Sequence, residues 1–344
     1  MTEPELAVAI KTAVDAWIQA KSPDQWLVDL NNPAELSAML AATVEKVLVN
    51  DGFTLGAARQ VVLGAPYFHM KQVFVPADLP DTPESFTPVP DGAGSVAGRA
   101  AALAVHGFLG KETVSYGSEN DGALFVNLVP LPGEGRFADK SKSGMRGHTE
   151  AVTFPFSGDV DAHDPRIAPS PDILTLVGLR NPNSVPTTVM VLEDVLAELS
   201  PTDIAELKKS QYSLTAQLTF ISGMKEILGD VHTANDEPVL KDVPPLTIVR
   251  YSHSSVLPTD EGGAAQTASD NFEAACNKVV IRVVIEPGDV LVVSNRLCLH
   301  GRGVVGEGVG GEARWLLRTY GLDTSDLDSS RRHLDGRPSY VLYP

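Results

Sequence analysis

Cysteine is scarce. Cys276 and Cys298 are the only two in 344 residues, so no disulfide framework organises the chain. Long apolar runs are missing too: none approaches the length needed to cross a bilayer. Positive charge is short, with 27 Lys and Arg against 44 Asp and Glu and a formal net charge of −17. Such an acidic surface lacks the basic field that binds nucleic acid or anionic lipid, so neither nucleic acid nor membrane is an expected partner. Met1-Thr2-Glu3-Pro4-Glu5 lacks the basic-then-apolar pattern of a signal peptide. A reducing cytoplasm is therefore the expected compartment. There is no internal repeat and no glycine-rich phosphate loop after an early strand. Gly301-Arg302-Gly303 is not a dinucleotide fingerprint, because no helical pattern follows it.

What is present is ordinary globular composition, 43% hydrophobic and 21% charged, with length for a large core. Leu6, Ile10, Val14, Trp17 and Ile18 recur at helical spacing. Asn32-Pro33 opens a second helix carrying Leu36, Met39, Leu40, Val44 and Leu48, which ends at Asp51-Gly52. The stretch from Gly52 onward is expected to enter the first core strand. Residues 76–94 read as a Pro- and Asp-rich connection, 95–109 as a helix and 123–130 as a strand. Residues 131–147 read as a mobile loop and 156–172 as another. Further strands are expected over 173–179, 187–192, 246–256 and 279–285, with helices over 193–199, 200–210 and 261–277. Regular strand–helix alternation is absent, which excludes a parallel α/β sheet. The expected fold is mainly β with flanking helices, a double-stranded β-helix (jelly roll) core. One domain over 1–344 is expected: N-terminal helices over 1–52, the core over about 53–322, and a tail over 323–344.

The chemistry gathers at His148-Thr149-Glu150. In an extended segment, residues i and i+2 face the same way, so His148 and Glu150 aim an imidazole and a carboxylate at one point. Ala151-Val152-Thr153-Phe154 makes the surroundings apolar, and a buried carboxylate there needs a partner such as a metal. Far downstream, Pro287-Gly288-Asp289 turns into an apolar strand that leads to His300. Two imidazoles and one carboxylate with open positions make the facial triad of non-haem Fe(II) oxygenases. A second apolar run holds Arg314 and Arg318, whose even separation puts both on one face. If the two runs pair antiparallel, these arginines return alongside His300.

The motifs together resemble the clavaminate synthase-like branch of the Fe(II)/2-oxoglutarate-dependent oxygenases. The matching pieces are Asn127-Leu128-Val129-Pro130, His148-Thr149-Glu150, Leu179-Arg180 followed by Thr187, and Glu286-Pro287-Gly288-Asp289. Asn295-Arg296, His300-Gly301-Arg302 and Arg314-Trp315-Leu316-Leu317-Arg318 complete the set. That branch includes hydroxylases of free arginine, asparagine and lysine. The resemblance implies iron held by His148, Glu150 and His300, with O2 as the oxidant. It implies 2-oxoglutarate gripped by Arg314 with Thr187, although a one-residue slip would substitute Thr188. It assigns Arg318 to the substrate carboxylate.

Asn127, Ser141, Ser143, Ser252 and His253 are further candidates to border the substrate. Ser141 and Ser143 read equally well as part of a flexible polar loop. His163 and His333 are expected in solvated loops, and His69, His106 and His232 have no partner pattern. In arginine hydroxylases of this branch, the strand matching 250–256 carries acids for the guanidinium; here it has none. Asp260, Glu261 and Asp270 nearby favour a lysine-like amine over arginine. The expected activity is hydroxylation of an unactivated carbon of a free L-amino acid, with release of succinate and CO2. Desaturation or ring closure on the same ligands is an alternative, and a non-catalytic jelly-roll binding protein is the rival.

Overall fold

The computed structural model describes residues 1–332 and 334–344, so the reading of His333 lies outside the described residues. Four helices open the chain: α1 (Glu3–Ala20), α2 (Pro23–Leu30), α3 (Pro33–Asn50) and α4 (Leu55–Leu63). α2 and α3 start on proline, which costs no helical hydrogen bond at the first position. The expected stripes are buried: Leu6, Ile10, Val14 and Trp17 on α1, and Leu36, Leu40, Val44 and Leu48 on α3. The stretch after Gly52 is not a strand. Its buried Ala58 and Val62 lie four residues apart on α4, so the helical period wins.

The first strand is β1 (Tyr67–Met70). After the proline-rich connection come α5 (Ala93–Leu109), β2 (Glu112–Tyr116), β3 (Val126–Leu128), α6 (Arg136–Lys142), β4 (Met145–His148), β5 (Ile173–Arg180) and β6 (Thr187–Val191). The expected 131–147 loop therefore contains a short helix and a strand. An insertion follows with α7 (Leu192–Ala197), α8 (Pro201–Leu207), β7 (Tyr212–Thr215), α9 (Leu218–Leu228) and β8 (Thr233–Glu237). It continues through β9 (Leu240–Val243), β10 (Leu246–Val249), β11 (Val256–Pro258) and α10 (Ala264–Lys278). The chain closes with β12 (Ile281–Val283), β13 (Val290–Ser294), β14 (Cys298–Arg302), β15 (Trp315–Leu322), α11 (Ser329–Arg332) and β16 (Val341–Leu342).

Two sheets form the jelly roll. The larger runs β1-β13-β5-β15-β2-β16, with β3 also on β15; the smaller runs β12-β6-β14-β4. Strand alternation divides the larger sheet between two cores. Val177, Leu179, Val290, Val292, Trp315 and Leu317 point outward and pack on α1, α3 and α5. Leu174, Leu176, Leu291, Val293, Leu316 and Tyr320 point inward and meet Val189, Val283 and Cys298 of the smaller sheet. Each fully buried Leu or Val contributes on the order of 1.5–3 kcal/mol, so both faces of the larger sheet hold the frame. The C-terminal segment belongs to this frame, since β16 pairs with β2 and buries Val341 and Leu342.

One expected pairing is different. The run from Val290 to His300 breaks at Asn295-Arg296-Leu297, so β13 lies in the larger sheet and β14 in the smaller. β15 pairs with β5, β2 and β3, not with β14. Arg314 and Arg318 therefore face His300 across the space between the sheets, instead of lying beside it in one sheet.

Candidate metal centre

β14 and β4 pair with His300 opposite His148. The approach is close: a Cβ on Gly301 would sit 2.3 Å from the Met145 carbonyl oxygen, so glycine is required for these strands to meet here. β4 ends at His148, and the next two residues are pinned individually. Thr149 N–H donates to the Tyr251 carbonyl (2.8 Å), and its own hydroxyl accepts from Tyr251 N–H (3.1 Å). Glu150 N–H donates to Asn295 Oδ1 at 2.7 Å, while Asn295 Nδ2 donates to the Glu150 carbonyl at 3.2 Å. The chain then turns through Ala151 at φ 51, a left-handed conformation that a non-glycine residue holds only when its surroundings fix it.

His148, Glu150 and His300 are all buried, and one ligand atom from each lies within 4.8 Å of the others. The imidazole rings are 4.3 Å apart between centroids, and His300 Nε2 lies 3.3 Å from Glu150 Oε1. His148 Nδ1 lies 3.0 Å from the Arg146 carbonyl. A proton on Nδ1 would donate there and leave the Nε2 lone pair free for a metal. Burial, then neighbouring His300, pulls His148 down to about 3, so the ring is neutral at ordinary pH. Burial opposes ionisation of Glu150, but Arg318 and His300 outweigh it and hold the carboxyl well below its usual range. Two imidazoles and an ionised carboxylate fit a hard-to-borderline divalent cation such as Fe(II).

The cavity containing the three ligands also contains Thr187, Arg314, Arg318 and Ser141. Register explains the first: Thr187 lies opposite Arg302, and Val189 opposite His300, on one face of the smaller sheet. Thr188 is on the other face. Arg314 is buried with no carboxylate partner among the described residues, and its Nε lacks an acceptor. Burial, then nearby Arg302, pulls it down to about 9. A desolvated guanidinium left in that state calls for a carboxylate ligand.

Arg318 is different. It lies 2.7 Å from Glu119 and 3.7 Å from Glu150. Burial works against its charge, but Glu119, Tyr320 and Glu150 raise its pKa well above the usual value. Glu119 is itself buried and accepts from Thr219 Oγ1 (2.8 Å) and Tyr320 OH (2.9 Å). Nothing in the sequence around Glu119 marks it; it lies just past β2, which pairs with β15, the strand that carries Arg318. Lys140, Arg302, Gln217 and Thr219 also line the cavity and were not anticipated, nor were the aromatic walls Phe86 and Phe137.

The other candidates lie elsewhere. Asn127 is buried beside the cavity but faces away, because inward-facing Val126 and Leu128 flank it; its amide serves Ser85, Pro88 and Trp315. Ser143 sits exposed at the end of α6, directed to the Lys140 carbonyl. Ser141 reaches the cavity, yet its hydroxyl is occupied within the α6 segment by the Ala138 carbonyl and Leu131 N–H. Ser252 pairs its backbone with His148 and, with His253, lines an adjoining cleft on the far side of that ligand. Asp260 caps α10, accepting from the N–H groups of Ala265 and Gln266. It does not line the ligand cavity, so the anion expected for a lysine-like amine is missing there.

A jelly roll presenting two histidines and one carboxylate to a buried cavity has the ligand set of the mononuclear non-haem, facial-triad class. Comparison with known proteins agrees. No family profile matches the chain. L-asparagine oxygenase of Streptomyces coelicolor is 27% identical over 237 residues, covering 65% of this chain; the chain spans 61% of that relative's length. Asparagine oxygenase in complex with Fe(II), 2S,3S-3-hydroxyasparagine and succinate superposes with a TM-score of 0.74 at 21% identity, over 98% of this chain and 97% of that one. The non-haem iron oxygenase OrfP, in complex with Fe, succinate and (3S)-hydroxy-L-Arg, gives 0.72 at 22% identity over 98% of each chain. The jelly-roll fold is thus shared, and the resemblance to clavaminate synthase-like oxygenases drawn from the motifs is met by relatives of both kinds. No helix among the described residues is long and apolar enough to cross a membrane.

Proposed function

We propose that the chain is an Fe(II)/2-oxoglutarate-dependent oxygenase that hydroxylates an unactivated carbon of a free L-amino acid. The observation that carries this reading is the coexistence, in one buried cavity, of the His148–Glu150–His300 cluster and the unpaired guanidinium of Arg314. His148, Glu150 and His300 would hold the metal. Arg314 would take the distal carboxylate of 2-oxoglutarate in a bidentate grip, with the Thr187 hydroxyl beside it.

Arg318 would receive the substrate carboxylate, and Glu119 beneath it would fix that guanidinium and offer a carboxylate to the substrate ammonium. With iron bound, oxidative decarboxylation of 2-oxoglutarate by O2 yields succinate and CO2, one oxygen atom entering succinate and the other a substrate C–H bond. The chain's own contribution is orientation and exclusion of water. Phe86 and Phe137, edge-to-face at 6.3 Å, join the proline-rich connection to α6 over the cavity.

The relative and neighbours support an amino acid as substrate, since their names and bound products are those of asparagine and arginine oxidation. The direct test is a screen of free amino acids for succinate formation with Fe(II), 2-oxoglutarate and O2. A substrate should release succinate and gain the mass of one oxygen atom. If no amino acid stimulates succinate release, the proposed reaction is wrong.

A further inference from the structure

The cavity carries more positive charge than the proposed reaction uses. Lys140, Arg302, Arg314 and Arg318 line it, against the single lining carboxylate of Glu150. Glu119 neutralises Arg318, and an amino-acid head group adds no net charge. A divalent metal is balanced by Glu150 and the keto-acid carboxylate of 2-oxoglutarate. The distal carboxylate balances Arg314. Arg302 and Lys140 remain.

Arg302 is committed to α6, since its Nη2 donates to the carbonyls of Lys140 (2.7 Å) and Ser143 (2.9 Å). The Lys140 ammonium pairs with no carboxylate among the described residues. It projects from α6 to the point where the ligand cavity meets the adjoining cleft. Phe86, Val126, Leu128, Val129 and Phe137 form apolar walls, and the polar residues Asn120, Ser141, Gln217 and Thr219 offer no anion.

We infer that the side chain of the substrate is anionic, an apolar stem ending in a second carboxylate that Lys140 binds. This rests on the function proposed above and assigns its substrate class. A cationic side chain would meet two surplus positive charges and no free counter-ion in the cavity lining. A second carboxylate would neutralise Lys140 through a charge-assisted hydrogen bond while its methylenes lie on the Phe and Val walls. Lys140 is exposed at the rim of the cavity, so it can meet an incoming side-chain carboxylate at the mouth. Docking this residue would also bring α6 down over the cavity, coupling recognition to closure.

The test is anaerobic titration of the protein loaded with Fe(II) and saturating 2-oxoglutarate, following the visible charge-transfer band as amino acid is added. L-aspartate, L-glutamate and L-2-aminoadipate are compared with L-leucine and L-lysine. One acidic amino acid should perturb the band at a concentration at least about tenfold below that of the others, the scale of one charge-assisted hydrogen bond. Lys140→Met should remove that preference, and Lys140→Glu should turn it toward L-lysine. Since α6 is anchored through the Lys140 main chain, both variants should fold. If L-lysine or L-leucine binds better, or if Lys140→Met keeps the acidic preference, the inference is overturned and the oxygenase reading stands. If the band never forms, the oxygenase reading itself fails and this inference falls with it.

Discussion

Asn295 holds the main chain of Glu150 from both sides, accepting from its N–H at 2.7 Å and donating to its carbonyl at 3.2 Å. The same Asn295 amide donates to the Pro171 carbonyl at 3.0 Å. The carboxylate ligand thus sits on a short segment outside the strands, between His148 and left-handed Ala151, and its position depends on a side chain from the turn between β13 and β14. Asn295→Ala removes all three bonds. Losses in the outer shell of metal sites typically cost about 10–100-fold in affinity, and that is the expected loss in Fe(II) binding, measured anaerobically. Unchanged affinity would show that β4 alone places Glu150.

The two cavity arginines should separate by function. Arg314→Lys keeps the charge and loses the bidentate fork, so its main effect should be a raised 2-oxoglutarate requirement, about tenfold or more for one lost charge-assisted bond. Arg318→Lys should raise the amino-acid requirement instead. Glu119→Gln should behave like Arg318→Lys, because it loosens the same guanidinium. Steady-state kinetics with each substrate varied in turn decides this; reversed effects would exchange the roles of Arg314 and Arg318.

Stability should fall on acidification through a histidine outside the cavity. His106 of α5 is fully buried between Thr113 and Thr175 hydroxyls, each 2.8 Å from a ring nitrogen. Burial lowers it from 6.5 to about 3. Between those values the unfolded chain binds a proton that the folded chain refuses, so stability is lost as pH falls through that window. The slope attributable to one such proton is about 1.4 kcal/mol per pH unit. Denaturant unfolding of His106→Gln between pH 6 and pH 4 should show a slope smaller by about that amount. An unchanged slope would mean that the ring takes up a proton in the folded protein.

The segment 131–147 should gain protection from hydrogen exchange when Fe(II), 2-oxoglutarate and substrate are bound without O2. α6 carries Phe137 and Lys140 over the cavity and is held at its end by Arg302. The segment 257–270 should gain none, because Asp260 is already occupied as the cap of α10. Protection confined to 257–270 would place capture on the other side of the metal site.

Much of this site was legible in the sequence because strand parity is strict. The i, i+2 spacing of His148 and Glu150 and the even separation of Arg314 and Arg318 pointed each pair to one side, although Glu150 lies just past β4 and Arg314 just before β15. Asn127, expected to border the substrate as a polar group at a strand edge, faces away because Val126 and Leu128 are the inward pair, and its amide donates to loop carbonyls. Glu119 was illegible because its role depends on contact with Arg318, 199 residues later in the chain, and not on a local pattern. Asp260 was read as a substrate acid although Gly262-Gly263 and the alanine-rich run behind it marked a helix start, where an aspartate serves as a cap. The pairing of β14 with β15 failed because the Asn295-Arg296-Leu297 turn carries the chain between sheets, a tertiary event that hydrophobic runs do not encode.

The central claim is that His148, Glu150 and His300 hold an Fe(II) ion to which 2-oxoglutarate binds. Visible absorption of the purified chain with Fe(II) and 2-oxoglutarate under anaerobic conditions tests it most directly. The account predicts a weak charge-transfer band that needs both components and is lost in His148→Ala and in His300→Ala, with the folded circular-dichroism signal kept. No band in the parent chain, or the same band in either variant, would contradict it.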